Sequence, residues 1–286
     1  RGRDRHLAGL VRRQERLIWR LVSWNVFHGR DFPPEPETGG LSWRLLGRPV
    51  SGPEYVLLNR NLFKEFGALL AASKWDVALL QECPPRWGRR MADATGAQEK
   101  AALTSRNWMR PVLSPVARFR PHLPGSWEGG SNLTLVRREQ PGSLVVGFEI
   151  KRLCWRPERR VVSLTWLKNG LCVANLHAST GQAGGERDVL AAAEYAVSRA
   201  GDRPLVLGGD FNIRPRKSDL FRDLVTRFGF SEPTDPGSID HLLVRNAEIV
   251  EQTTAWPPER RDVPDIDSDL MVRLSDHAPV VSSIRF

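Results

Sequence analysis

Pro204-Leu205-Val206-Leu207-Gly208-Gly209-Asp210-Phe211-Asn212-Ile213-Arg214-Pro215 is the stretch from which the rest of this 286-residue chain can be read. A short apolar run closed by two glycines has the length and flanks of a core strand. Glycine lets the backbone bend, or approach a ligand with no Cβ in the way. In a strand-like backbone Asp210 and Asn212 point to one side, because side chains alternate with a period of two. A carboxylate beside a carboxamide at a strand's end can take a proton from water and hold that water in line. The plainer alternative is an acidic turn, since Asp and Asn are the usual turn formers.

Working outward, the same pattern recurs. Arg20–Val26 reads as a strand ending near Asn25, and Asp76–Glu82 as a second, stopped by Pro84-Pro85. Segments 131–138, 143–151, 160–168 and 171–177 read as successive strands. Asn169-Gly170 marks a hairpin, and the last of these strands ends on His177. Ile239–Val244 begins with Asp240, and Ser275-Asp276-His277 precedes the closing strand. Helical stripes are expected over Glu54–Ser73, Glu186–Arg199 and near 217–228, and a polar helix over 86–110. Residues 30–53 carry five prolines and read as a long irregular loop. Residues 1–19 are basic with apolar positions at helical spacing, an N-terminal helical segment ahead of a single domain over 20–286.

Composition narrows the partners. The net charge is +9, and only six of the 42 basic residues are lysine. Arginine forks match phosphate geometry, so an anionic partner such as nucleic acid is favoured. Arg-Trp neighbours such as Trp155-Arg156 add faces on which bases can stack. Cys83, Cys154 and Cys172 form an odd set without zinc-site spacing, which points to a reducing, cytoplasmic setting. The chain starts at Arg1 rather than Met, leaving a removed signal peptide open. No apolar run reaches the roughly 18 residues of a spanning helix.

Asn25, Glu82, His177, Asp210, Asn212, Asp240, Asp276 and His277 thus all lie at strand ends. Each alone has a dull explanation; together they form an oxygen-rich, thiolate-free set suited to a hard cation such as Mg²⁺, with histidine donors for developing phosphate charge.

In their order, Ser23-Trp24-Asn25, Leu80-Gln81-Glu82, Asn175-Leu176-His177, Gly209-Asp210-Phe211-Asn212, Ile239-Asp240-His241 and Ser275-Asp276-His277-Ala278-Pro279 resemble the endonuclease/exonuclease/phosphatase superfamily. The match spans nearly the whole chain. The resemblance implies a deoxyribonuclease I-like, four-layer α/β sandwich: two packed, mostly antiparallel sheets flanked by helices. It implies Glu82 as a Mg²⁺ ligand (Mn²⁺ substituting), with Asn25 and Asp276 at the metal. Asp210 would accept the proton of the attacking water and Asn212 would orient it. His177 and His277 would contact the scissile phosphate, and Asp240 would pair with His277. Asn132 would lie near the substrate phosphate. Abasic-site endonucleases carry an acid two residues after the first-strand asparagine; here that position is Phe27, followed by His28, which argues against that subgroup. The expected function is a monomeric, Mg²⁺-dependent nuclease or phosphodiesterase. The alternatives are a lipid-headgroup or inositol-phosphate hydrolase and a catalytically silent binding module.

Overall fold

The computed structural model describes residues 18–34, 45–156 and 158–286. One sheet runs in the order β12 (Glu248–Ala255), β15 (Val280–Arg285), β1 (Ile18–Asn25), β4 (Val77–Cys83), β6 (Ser131–Arg137) and β5 (Ala97–Leu103). The other runs β11 (Asp240–Arg245), β10 (Leu205–Asp210), β9 (Cys172–His177), β8 (Arg160–Leu167) and β7 (Val145–Cys154). Two short ladders, β2 (Val50–Ser51) with β3 (Val56–Leu57) and β13 (Asp262–Pro264) with β14 (Met271–Arg273), lie outside them. Each large sheet is antiparallel except at its middle, where β1 runs parallel to β4 and β9 parallel to β10.

The layers follow from which residues each strand buries. Leu21, Val77, Leu79, Val173, Val206, Leu242 and Ile284 form a core between the two sheets. Helices α1 (Phe63–Ala72) and α2 (Gly88–Thr95) cover the outside of the first sheet through Phe66, Leu70 and Met91. A third helix, α3 (Arg110–Ala117), buries only Ala117. Helices α4 (Gln182–Ala200) and α5 (Leu220–Phe228) cover the second sheet through Val189, Ala193 and Leu224. Full burial of each such Leu or Val is worth about 1.5–3 kcal/mol. The expected four-layer α/β sandwich is therefore the architecture observed. Among the described residues no helix is long and apolar enough to cross a membrane.

Gly208 and Gly209 have specific roles in this stacking. A Cβ on Gly208 would lie 2.6 Å from Leu242 Cδ2 and 2.7 Å from Leu79 Cδ1, so glycine here lets the facing sheet close in. Gly209 has φ +143°, and a Cβ there would sit 1.8 Å from the Leu176 carbonyl oxygen. The close approach expected at these glycines is thus to the protein's own strands rather than to a ligand.

Several boundaries differ from the sequence reading. The expected helix over Glu54–Ser73 begins only at Phe63. Asp31 Oδ2 accepts the Leu58 N–H at 2.7 Å, Val56–Leu57 pair with β2, and Asn61 Oδ1 accepts the Phe63 N–H at 3.1 Å as a helix-start turn. The expected helix over 86–110 stops at Gly96, φ +65°, and Ala97–Leu103 becomes an edge strand on β6. Its helix-favouring composition is overridden by that pairing. Of the basic segment 1–19, Ile18 and Trp19 belong to β1, and the helix expected over the remainder lies outside the described residues.

Candidate active site

Strand direction brings the singled-out residues to one edge of the sandwich. Asn25, Glu82, His177 and Asp210 stand at or next to the C-terminal ends of four strands. Asp240 starts β11, and Asp276 and His277 lie in the turn before β15. Register aligns Asp210 directly with His177 on one side and Asp240 on the other. A cavity of about 510 Å³ opens there, lined by Asn25, Glu82, His177, Asp210, Asn212 and His277 together with His28, Arg30, Arg106, Glu158 and Arg160.

Backbone strain concentrates at this cavity. Of the seven non-glycine residues with positive φ among those described, Phe27, His28, Glu82, Arg106 and Asn212 line it and Ser275 adjoins Asp276; only Asn246 lies elsewhere. Such conformations cost about 1–3 kcal/mol each and persist where the surroundings impose them. At Glu82 (φ +50°) the cause is a register shift between β4 and β6, a bulge that re-aims the carboxylate. Below it, Gln81 Nε2 donates to Asn175 Oδ1 at 2.9 Å, tying the two sheets together under the cavity.

Asp210 is buried and held from two sides. Asn25 Nδ2 donates to its Oδ2 at 3.0 Å, and the Asn212 N–H donates to its Oδ1 at 2.9 Å. Asn212 therefore reaches the site through a left-handed turn rather than through the strand alternation expected for it. Its Nδ2 donates to the Ala178 carbonyl at 3.1 Å. Burial, and then the nearby Asp240 carboxylate, raise the Asp210 pKa above the usual carboxylate range.

The two histidines differ in charge. His277 Nδ1 lies 2.7 Å from Asp240 Oδ2. Burial by itself would lower the His277 pKa, but Asp240, with Asp210 and Asp276, outweighs it and raises the pKa to about 10. His277 is an imidazolium at neutral pH, with Nε2 turned toward Asp210 Oδ2 and Asp276 Oδ1, each 3.9 Å away. His177 is buried beside Arg160; burial first, then the guanidinium, lower its pKa to about 3. Arg160 NH1, which can only donate, lies 3.1 Å from His177 Nδ1 and 3.4 Å from Nε2; the shorter contact assigns the acceptor to Nδ1 and the ring proton of neutral His177 to Nε2. That nitrogen is 3.6 Å from Asp210 Oδ2 and 3.8 Å from Glu82 Oε1.

Glu82 is an ionised carboxylate facing the cavity. Burial would raise its pKa, but His28, His177, Arg30 and His277 outweigh burial and hold it down at about 2. Its Oε2 lies 3.2 Å from His28 Nε2. Asp276 stands on the His277 side, its side chain 29% exposed, with a pKa raised by burial. Glu82 and Asp276 offer the hard oxygen donors that a small divalent cation takes. Asn25 fits that role less well, since its Oδ1 already accepts the Phe27 N–H at 3.0 Å and its Nδ2 holds Asp210. The ligating atoms of Asp210, Asp240 and His277 also lie within 4.8 Å of one another. The 2.7 Å contact between His277 and Asp240 makes that trio an ion-paired cluster.

Asn132 is not brought to the cavity. It is sealed between the sheets, where its Nδ2 donates to the Val161 carbonyl at 3.0 Å, so the expected phosphate contact is corrected to a structural tie. Conversely, His28, Arg106, Glu158 and Arg160 line the cavity and escaped the sequence reading. Glu158 links the two arginines, its Oε2 lying 2.9 Å from Arg160 NH2 and its Oε1 pairing with Arg106. The Arg159-Arg160 pair opening a strand was the available signal.

A model of the Endonuclease/Exonuclease/phosphatase family matches residues 22–277. No curated protein matches the sequence. Solved structures share the fold at low identity. A Bacteroides thetaiotaomicron mannosyl-6-phosphatase has a TM-score of 0.62 at 14% identity, covering 94% of this chain and 100% of its own. An endonuclease/exonuclease/phosphatase from Beutenbergia cavernae has 0.60 at 18%, covering 94% and 72%. The human Nocturnin catalytic domain, solved with a bound sulfate anion, has 0.55 at 15%, covering 94% and 95%.

Proposed function

The chain belongs to the endonuclease/exonuclease/phosphatase family, and we propose that within it the protein is a Mg²⁺-dependent phosphodiesterase acting on nucleic acid. One observation carries the reaction: a buried carboxylate of raised pKa, Asp210, faces a charged His277 and a neutral His177 in one cavity with ionised Glu82.

In this reading Glu82 and Asp276 hold the Mg²⁺ (Mn²⁺ substituting), with Asn25 beside them. When bound, the ion neutralises charge on the phosphate oxygens. Asp210, desolvated and therefore the stronger base, takes the proton of the attacking water. Asn212 and Asn25 fix its two oxygens, so that the carboxylate does not rotate away from that water. His277 presents Nε2–H and a full charge to the phosphate, and His177 presents a neutral Nε2–H. Asp240 holds the His277 ring in orientation and keeps it protonated. Arg160 fixes the His177 tautomer.

Nucleic acid is supported by the net charge of +9 and by Arg30, Arg106 and Arg160 around the cavity. The unpaired Cys83, Cys154 and Cys172 support a reducing, cytoplasmic setting, and we take the protein to act as a monomer. The test is a screen of purified protein with Mg²⁺ or Mn²⁺ against plasmid DNA, RNA, sphingomyelin and inositol phosphates, repeated in EDTA. Cleavage of DNA or RNA that EDTA abolishes is the expected result. Exclusive hydrolysis of sphingomyelin or inositol phosphates would overturn the substrate class, and full activity in EDTA would overturn the metal set.

A further inference from the structure

Beside the catalytic cavity lies a second one of about 610 Å³, lined by Trp108, Trp127, Trp155, Arg106 and Arg159. Thr104, Ser105, Arg106 and Glu158 line both, so they are neighbouring compartments of one surface. The three indoles are 74%, 53% and 63% exposed, whereas Trp19, Trp24, Trp75, Trp87 and Trp256 are buried. Contiguous exposed apolar surface of this kind marks a place where something binds.

What is left open in the slot identifies the ligand. Glu158 is held by Arg106 and Arg160, and the Ser126 hydroxyl by Arg106. The Asn107 amide nitrogen donates to the carbonyls of Thr104, Ser105 and Gly130. These groups are engaged mainly with one another, which leaves the Asn107 Oδ1 and Arg159 Nε without partners among them. Flat π-faces flanked by cations dominate the slot: Arg152 lies 4.8 Å over Trp155, and Arg106, itself paired with Glu158, 5.1 Å over Trp127. That combination suits a planar ring joined to a phosphate.

We propose that this slot is a stacking subsite for unpaired nucleobases next to the phosphate in the catalytic cavity, which makes single-stranded nucleic acid the substrate. The inference rests on the phosphodiesterase reading above. Its test is fluorescence anisotropy, with Asp210→Asn protein, of a short single-stranded oligonucleotide against an abasic chain of equal phosphate count. Stacking should favour the base-bearing chain by roughly 5- to 150-fold per stacked base. Combined Trp108→Ala, Trp127→Ala and Trp155→Ala changes should erase that preference, and Phe at the same positions should restore part of it. All three side chains are exposed, and circular dichroism verifies that the fold is kept. Equal binding of the two chains would overturn the slot while leaving the nucleic-acid reading standing. Failure to bind either chain, with hydrolysis of inositol phosphates, would remove both. Tryptophan-dependent binding to anionic phospholipid vesicles, with oligonucleotide affinity unchanged by the alanine substitutions, would reassign the patch to a membrane and also overturn the proposal.

Discussion

Asp240→Asn separates the charge on His277 from the shape of its site. The carboxylate is buried, the imidazole half-buried, and they lie 2.7 Å apart. Against burial, which opposes it, Asp240 with help from Asp210 and Asp276 raises the His277 pKa from its ordinary 6.5 to about 10. At about 1.4 kcal/mol per tenfold, that shift is on the order of 5 kcal/mol of preference for the folded, protonated state. Because three carboxylates contribute, loss of one should cost ~3 kcal/mol, the lower end for breaking a buried pair. The folded pKa lies above the unfolded one, so the stabilisation is fully present below about pH 6.5 and is lost as pH rises through about 10. Urea unfolding of wild type and variant, in chelator, from about pH 6 to pH 10.5 reads this difference directly. The gap should be ~3 kcal/mol near neutrality and should shrink toward the alkaline end. A gap below ~0.5 kcal/mol that does not change with pH would refute the ion pair as described.

Glu82→Gln keeps the shape but not the charge, so half-maximal activity should need a much higher Mg²⁺ concentration; an unchanged metal titration would remove Glu82 from the ion's site. Gly208→Ala places a methyl against Leu79 and Leu242 between the sheets and should destabilise by about 1–3 kcal/mol in urea melts; an unchanged midpoint would mean the facing strands yield freely. Binding of oligonucleotide by the Asp210→Asn protein should weaken steeply with salt as phosphate contacts release counterions. A flat response would argue against the arginine-lined cavity as the contact surface.

Asn25, Glu82, His177, Asp210 and His277 were legible because each closes an apolar strand or precedes one, and strand direction carries such positions to a common edge. The sheets were legible for the same reason, through runs such as Leu171–His177 and Leu205–Asp210. Ala97–Leu103 was not, because Ala-Gln-Glu-Lys-Ala-Ala-Leu favours a helix locally and becomes a strand only by pairing with β6. Glu248–Ala255 escaped as well; as an exposed edge strand it has almost no buried face to leave a pattern. Arg160 looks like any surface cation until β8 pairs with β9 and sets it against His177. His28 reaches Glu82 only through two consecutive left-handed residues, Phe27 and His28, which non-glycine sequence does not advertise. Asn132 misled because a strand-end amide can face either the cavity or the opposite sheet.

The central claim is that Asp210 is the base, and turnover of Asp210→Asn tests it most directly. Asparagine nearly keeps the shape, and its carbonyl oxygen can still accept the Asn212 N–H that shapes the turn, while its amide nitrogen replaces the oxygen that took the Asn25 Nδ2–H; it cannot accept the water's proton. With the fold and substrate binding retained, kcat on the substrate found in the screen should fall by about 10²–10⁴-fold. Near-wild-type turnover by the folded variant would contradict the account, leaving Asp210 as a turn residue outside the proton transfer.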